Sequence, residues 1–327
     1  MSALARALFR FAFGRLAATA AIVLLALTLL FALTMLTPGD PASSLLGPRA
    51  TPEAIADLRE RMGLDRPIWE RLARFLGRAL AGDLGRDVIS GRPILDMTLE
   101  ALPHTVALTF AAMALALLLG APLGVYAATH PGSALDQLAA ALSVAAIAIP
   151  SYVVAIFLLL VFALELEWLP ALGVGDGGLG SALSHMVLPA VALAVGWIGY
   201  LARLMRASLL ETLGEPFIRT SRAYGLPERL VLWKYALKPA CAPTLAVLGM
   251  GVGKLLGGAV FIEILFARPG LGKLLYDAIA VRNYPVVQGC VLVVVLLFVL
   301  TNLAADLLLA WVDPRVRASH AERRAPA

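Results

Sequence analysis

The chain has 327 residues, of which 60% are hydrophobic and only 15% charged. That is far more apolar than a soluble domain of this size needs, and it excludes an ordinary water-soluble enzyme or binding module. The net charge of +5 sits at the borders of apolar runs, so it reads as a signal of membrane topology and not of nucleic-acid binding.

Residues 1–36 read as a cytoplasmic N-terminus followed by a first span, Leu16 to Leu36, with Arg6, Arg10 and Arg15 before it. The run is about 21 residues long, as a bilayer crossing requires, and no cleavage site precedes Pro38, so it is expected to be a retained anchor. Residues 37–101 follow as an extracytoplasmic helical loop. Thr51 and Pro52 start a helix that Gly63 can end, and Asp65 and Pro67 start a second that Gly82 can end. The second carries Ile68, Leu72, Phe75, Leu76 and Leu80 at helical spacing, giving one face that can pack on a bundle. This loop is expected to cap the outer face, either as a simple cover or as a receiver of a partner.

Residues 102–312 hold five more candidate spans: Leu102–Thr129, Gln137–Leu164, Met186–Ala202, Pro239–Ile262 and Tyr284–Val312. No strand-like alternation competes, so the fold class is an all-α membrane protein of six transmembrane helices. Pro131, Gly132 and Ser133 make a tight turn after the second span, and Pro150 with Ser151 predicts a kink in the third. In the fifth, Gly253 and Gly257 form a small-xxx-small pair suited to a helix seam. Lys254 cannot cheaply face lipid there, which makes it a pathway candidate unless it snorkels outward.

Between the fourth and fifth spans lies a polar island, residues 207–238. From Arg203 to Lys238, Arg203, Arg206, Arg219, Arg222, Arg229, Lys234 and Lys238 outnumber Glu211, Glu215 and Glu228 by seven to three. With Arg315, Arg317, Arg323 and Arg324 in the tail 313–327, this places the island and both termini in the cytoplasm. Pro216 suits a first helical turn and Gly225 the left-handed residue after a last one, so a short helix of about ten residues is predicted. Phe217, Thr220, Ser221 and Tyr224 share a side of it, while Arg219 and Arg222 point elsewhere. A second small helix is predicted from Pro227 to Lys238.

No catalytic constellation is present. GMGVGKL at Gly249–Leu255 lacks the spacing of a phosphate loop and lies in a span. His104, His130, His185 and His320 have no metal-ligand spacing, and no GxSxG elbow occurs. Cys241 and Cys290 sit inside apolar spans, so no disulfide, metal or cofactor is expected. Asp306 is expected to hydrogen-bond within the bundle or to reach the interface, and not to act as a proton relay.

The island TSRAYGLPERLVLWKYALKP resembles the cytoplasmic coupling loop of ATP-binding-cassette importer permeases, specifically the dipeptide, oligopeptide and nickel type. PGDP at Pro38–Pro41, GDLGRD at Gly82–Asp87, LPHT at Leu102–Thr105, IPSY at Ile149–Tyr152, WLPALG at Trp168–Gly173, EILFARPGLG at Glu263–Gly272, NLAAD at Asn302–Asp306 and DPR at Asp313–Arg315 extend the resemblance over nearly the whole chain. Arg219, Thr220 and Ser221 replace the generic acidic-Ala-Ala start, and Asp87 and Asn283 stand where Ser and Asp are expected.

The resemblance implies a type I importer permease of the bacterial inner membrane that hydrolyses nothing itself. Implied partners are a second homologous permease subunit, two ATP-binding subunits, an extracytoplasmic solute-binding protein and membrane lipid, with no nucleic acid. Phe217, Arg219, Ser221, Arg222, Tyr224 and Gly225 become the ATPase-coupling contact, Tyr224 packing either on the bundle or on the ATPase. Di- or oligopeptides are the leading cargo, with nickel or another small solute as the alternative. A secondary transporter or a non-transporting scaffold are the competing classes.

Overall fold

The computed structural model describes residues 18–33, 40–47, 49–175 and 177–312. Arg6, Arg10, Arg15, the start of PGDP and the tail 313–327 lie outside them, as does the side chain of Asp306. Secondary structure among the described residues is helical, apart from one isolated antiparallel bridge between Arg86 and Pro93.

In chain order the helices are α1 (Ala18–Leu33), α2 (Pro41–Leu46), α3 (Pro52–Met62), α4 (Ile68–Leu80), α5 (Ile94–Thr129), α6 (Ala134–Ala148), α7 (Ser151–Glu165), α8 (Leu179–Leu213), α9 (Pro216–Ala223), α10 (Glu228–Leu265), α11 (Leu271–Ala280) and α12 (Tyr284–Val312). Four of them, α5, α8, α10 and the described part of α12, are long and apolar enough to cross a bilayer, and α6 with α7 makes a fifth crossing if the pair is one span. The described part of the first expected span, α1, is shorter than a full crossing. The predicted kink at Pro150 is a break: α6 and α7 meet at 102°. Proline has no N–H for the ladder, and its ring forces Ile149 out of the helical region, to φ −84° and ψ 123°.

The chain divides into two compact units, Met1–Thr105 with Pro269–Leu300, and Val106–Arg268 with Thr301–Ala327. In the first, the segment between α1 and α5 folds much as its caps predict. Thr51 Oγ1 accepts the Ala54 N–H at 3.3 Å, and Gly63 ends α3 at φ 65°. The apolar face of α4 lands on α1, with the Phe31 and Phe75 rings 6.0 Å apart and the Arg71 guanidinium 5.8 Å over Phe31. The LPHT threonine, Thr105, accepts the Leu271 N–H at 2.8 Å and so caps the start of α11.

Asp87 and Asn283, which stand where the resemblance leads one to expect Ser and Asp, are hydrogen-bonded to each other, and both are buried. The Asp87 carboxylate also accepts the Ile89 N–H at 3.1 Å, the Ser90 N–H at 2.9 Å and the Ser90 hydroxyl. The two residues therefore act as one buried unit, an amide donating to a carboxylate. Burial acts to raise this carboxyl's pKa, but the bonds from Ser90, Ile89 and Asn283 together outweigh it and hold it below the ordinary aspartate value.

In the second unit α8 is the hub. Cβ atoms added at Gly120 and Gly124 of α5 would stand 2.7 Å from the Ile198 carbonyl and 2.5 Å from that of Ala202, so these glycines let two backbones touch. Across its other sides, Arg206 makes a bidentate pair with Asp136 of α6 at 2.6 and 2.8 Å, and the Ser208 hydroxyl donates to the Ala240 carbonyl of α10 at 2.9 Å. The helix runs 35 residues, well past the Met186–Ala202 expected from hydropathy. Met205, Ser208, Leu209 and Thr212 are buried at its end, so packing extends it where the apolar run stops.

Candidate functional site

The polar island is built from the end of α8 outward. Gly214 and Glu215 turn the chain, and Pro216 opens α9, whose eight residues are two fewer than the spacing predicted. The helix ends in two reciprocal bonds: Gly225 N–H to the Arg222 carbonyl at 2.9 Å and Leu226 N–H to that of Ser221 at 3.4 Å. With Gly225 at φ 72°, this is the Schellman arrangement, and Leu226 supplies its apolar contact.

The prediction of a second small helix is corrected. From Glu228 the chain is continuous with the fifth span, giving the 38-residue α10. Val231–Ala236 form a wider π-helical turn. Pro239 cannot donate to the Tyr235 carbonyl, and the adjacent π turn lets the helix absorb that missing bond without stopping.

What fixes the island is Ile218, a residue that sequence reasoning passed over. It is fully buried in an apolar cluster with Ala128, Leu209, Val231, Ala236 and Ala240. A signal was present: Ile218 is the one large aliphatic residue of α9, whose sequence is PFIRTSRA.

The sequence-predicted contact residues lie around this anchor, mostly in solvent. Phe217 is 44% exposed and Tyr224 82%, with Arg219, Arg222 and Gly225 also exposed. Tyr224 therefore does not pack on the bundle. Ser221 is half-buried and gives its hydroxyl to the Phe217 carbonyl at 2.8 Å, as Thr220 does to Pro216 at 3.0 Å. Arg222 Nε reaches Glu228 at 2.7 Å, bracing α9 against the start of α10. Trp233, 62% exposed on the π turn, joins Phe217 and Tyr224 as a third exposed aromatic that sequence reasoning did not assign to this surface. The island is thus a basic, aromatic-bearing knob with no metal-ligand cluster among its described residues.

Two family profiles cover nearly all of the chain: residues 8–109 match the N-terminal region of binding-protein-dependent transport system membrane components, and residues 120–318 match the binding-protein-dependent transport system inner membrane component. The chain belongs to this family of importer permeases. Among its relatives are the dipeptide transport system permease protein DppB of Alkalihalophilus pseudofirmus, 36% identical over 90% of this chain and 96% of that one. The glutathione transport system permease protein GsiC of Escherichia coli is 35% identical over 88% of this chain and 92% of its own. Among solved structures, an inward-facing MetNI methionine ABC transporter aligns at TM-score 0.55 over 66% of this chain and 96% of that chain, with 20% identity. That likeness concerns the fold alone. This importer permease is a multi-pass inner-membrane protein and not an enzyme.

Lys254, Gly253 and Gly257 lie away from the island, on α10. Lys254 and Gly257 are exposed and Gly253 half-buried, and a Cβ at Gly257 would meet nothing within 4 Å. The close backbone approaches in this unit fall instead at glycines such as Gly120 and Gly124.

Proposed function

We propose that the island is the surface on which an ATP-hydrolysing partner docks, and that the cargo is a di- or oligopeptide. The observation that carries the first part is the pairing of one buried anchor, Ile218, with exposed Phe217, Arg219, Arg222 and Tyr224 on a helix of eight residues. A partner that grips such a knob moves α8 and α10 with it, because Ile218 is packed on residues of both. ATP binding then favours one of two rigid arrangements of the permease, which is all that alternating access requires. The cargo is supported by the relatives, two of which are named for dipeptide and glutathione transport.

The full assembly on this reading has a second permease subunit, two ATP-binding subunits and an extracytoplasmic binding protein. The island and both termini are cytoplasmic and residues 37–101 extracytoplasmic, as the distribution of arginine and lysine supports.

The test is co-purification of the tagged permease with the products of its neighbouring genes, wild type against a Gly225→Val, Arg222→Ala double variant. The ATP-binding subunit is expected with the wild type and lost from the variant at equal permease abundance. Retention in the variant sinks the docking surface. Reconstituted importer that hydrolyses ATP yet takes up no dipeptide or tripeptide sinks the cargo.

A further inference from the structure

One stripe of α10 stays uncovered along its length: Pro243, Ala246, Met250, Lys254, Gly257 and Phe261 are all exposed. Their spacing of three and four residues puts them on one side of the helix. Val252, Leu255, Ala259 and Ile262, on the other side, are buried in the core of the unit. The composition of the stripe is unlike a lipid-facing surface. It contains no Leu, Ile or Val, whereas α1 exposes Ile22, Leu25, Leu29 and Leu33. Lys254 lies eleven residues from the Leu265 end, about 17 Å at the rise of an α-helix, and so at a depth where an ammonium group facing lipid is disfavoured.

A second observation points to the same face. The α6–α7 break leaves Ile149 and Pro150 exposed, and interrupted backbone is tolerated at membrane depth only where it meets protein or lines a wet cavity. The break lies beside the stripe: the Tyr152 ring is 5.9 Å from that of Phe261, and Ser151 Oγ is 3.8 Å from where a Cβ on Gly258 would stand. A cation, an aromatic pair and an interrupted helix thus share one uncovered face, all within one compact unit.

We propose that this face is a wall of the solute path and that the Lys254 ammonium pairs with the carboxylate of the solute as it passes, the Tyr152 and Phe261 rings giving it an apolar shelf. The carboxylate follows from the peptide reading above, on which this part rests. Small residues at Ala246 and Gly257 leave room on either side of the lysine, and the same face remains open to solutes of different side chains because only their common terminus is read.

The test uses the complete importer in proteoliposomes and compares uptake of dialanine with that of its C-terminal amide, for wild type, Lys254→Met and Lys254→Arg. The binding protein's own preference is common to all three and cancels in the ratio. The carboxylate-to-amide ratio is expected to fall about tenfold in the methionine variant and to persist in the arginine variant. An unchanged ratio in Lys254→Met, at equal abundance and equal ATP hydrolysis, overturns the carboxylate role. If the wild type carries neither solute, the peptide reading is what fails, and a second arm judges the path without any cargo. In a background with Cys241 and Cys290 changed to alanine, Lys254→Cys should react with a charged, water-soluble thiol reagent while Leu29→Cys does not. Equal protection of both overturns the path.

Discussion

The N-terminal cap (residues 49–93) and the island are both polar segments between apolar helices, yet they spend their polar groups in opposite ways. In the cap, Asp87 and Asn283 are buried, the Asn283 amide N–H donates to the carboxylate, the carboxylate gathers further bonds from Ile89 and Ser90, and the Asn283 side-chain oxygen is buried without a hydrogen bond. In the island the buried anchor is an aliphatic residue, Ile218, while Arg219, Arg222, Phe217 and Tyr224 remain in water. A buried network that turns its hydrogen bonds inward onto one carboxylate specifies one conformation and leaves little for a partner to hold. A single apolar peg under an exposed polar helix gives equal rigidity and keeps the outer surface free. The contrast separates a region that turns its polar groups inward from one that leaves them exposed, as the proposed docking requires.

The largest effect is expected where the island meets the bundle. Ile218→Ala removes a fully buried side chain and should destabilise the docking of α9 by about 3 kcal/mol. Hydrogen exchange over residues 216–226 should accelerate on that scale while α5 and α8 keep their protection. ATP-driven uptake should fall with it. Unchanged exchange in the island would mean that Ile218 is not what fixes it.

Next comes Gly225→Val. At φ 72° a β-branched residue is strained by about 2 kcal/mol, and the strain acts on the turn alone because a Cβ at Gly225 would meet nothing within 4 Å. The variant should insert and accumulate normally but lose ATPase co-purification. Gly225→Ala should show a smaller loss in the same assay, and equal behaviour of the two would remove the backbone argument.

The cap should answer to different perturbations. Asp87→Ala leaves Asn283 buried without its partner, at a cost of about 2 kcal/mol, read as a lower unfolding temperature of the purified protein. The ionised form of Asp87 is the favoured one in the fold, because the bonds from Ser90, Ile89 and Asn283 lower its pKa below the unfolded value despite burial. Its contribution is therefore complete above the unfolded aspartate pKa of about 3.9 and lost as pH falls through the lower folded value. Protection of the Asp87–Arg92 turn should be level from pH 7 to about 5 and decline below about 4. Asp87→Asn should flatten that acid limb, and a decline that survives the substitution would assign it to another group.

Much of this contrast was legible from residue types. Thr51, Pro52 and Gly63 delimit α3 because caps act locally, and Gly225 marked the end of α9 for the same reason. Long-range pairing was not legible. That Asp87 and Asn283 belong together is a fact of tertiary structure, and so is the bidentate contact of Arg206 with Asp136. The end of α8 at Leu213 was missed because hydropathy stops at Arg203 while helical packing continues through Met205, Leu209 and Thr212. The continuity of α10 was missed because Pro239 looked like a helix start, when a π turn upstream let the helix pass it. In the fifth span the Gly253 and Gly257 pair carries a seam signal, and among the described residues no helix of this chain comes within 4 Å of a Cβ at Gly257.

The smallest effect on stability and the sharpest test of the contrast lie in one exposed pair. Arg222 and Glu228 are joined at 2.7 Å with side chains 44% and 66% exposed, so their bond should contribute no more than a few tenths of a kcal/mol to folding. Glu228→Gln removes the pair but keeps the arginine, and should leave both unfolding temperature and ATPase co-purification near wild type. Arg222→Ala should likewise leave stability unchanged, yet weaken co-purification, because the guanidinium is then missing from the surface a partner grips. A cap residue of similar exposure, Arg92 paired with Glu100 at 2.7 Å, supplies the control: Arg92→Ala should change neither readout. If Arg222→Ala and Arg92→Ala behave alike, the island's exposed charges are as inert as the cap's, and the difference between the two regions is one of architecture without a difference in purpose.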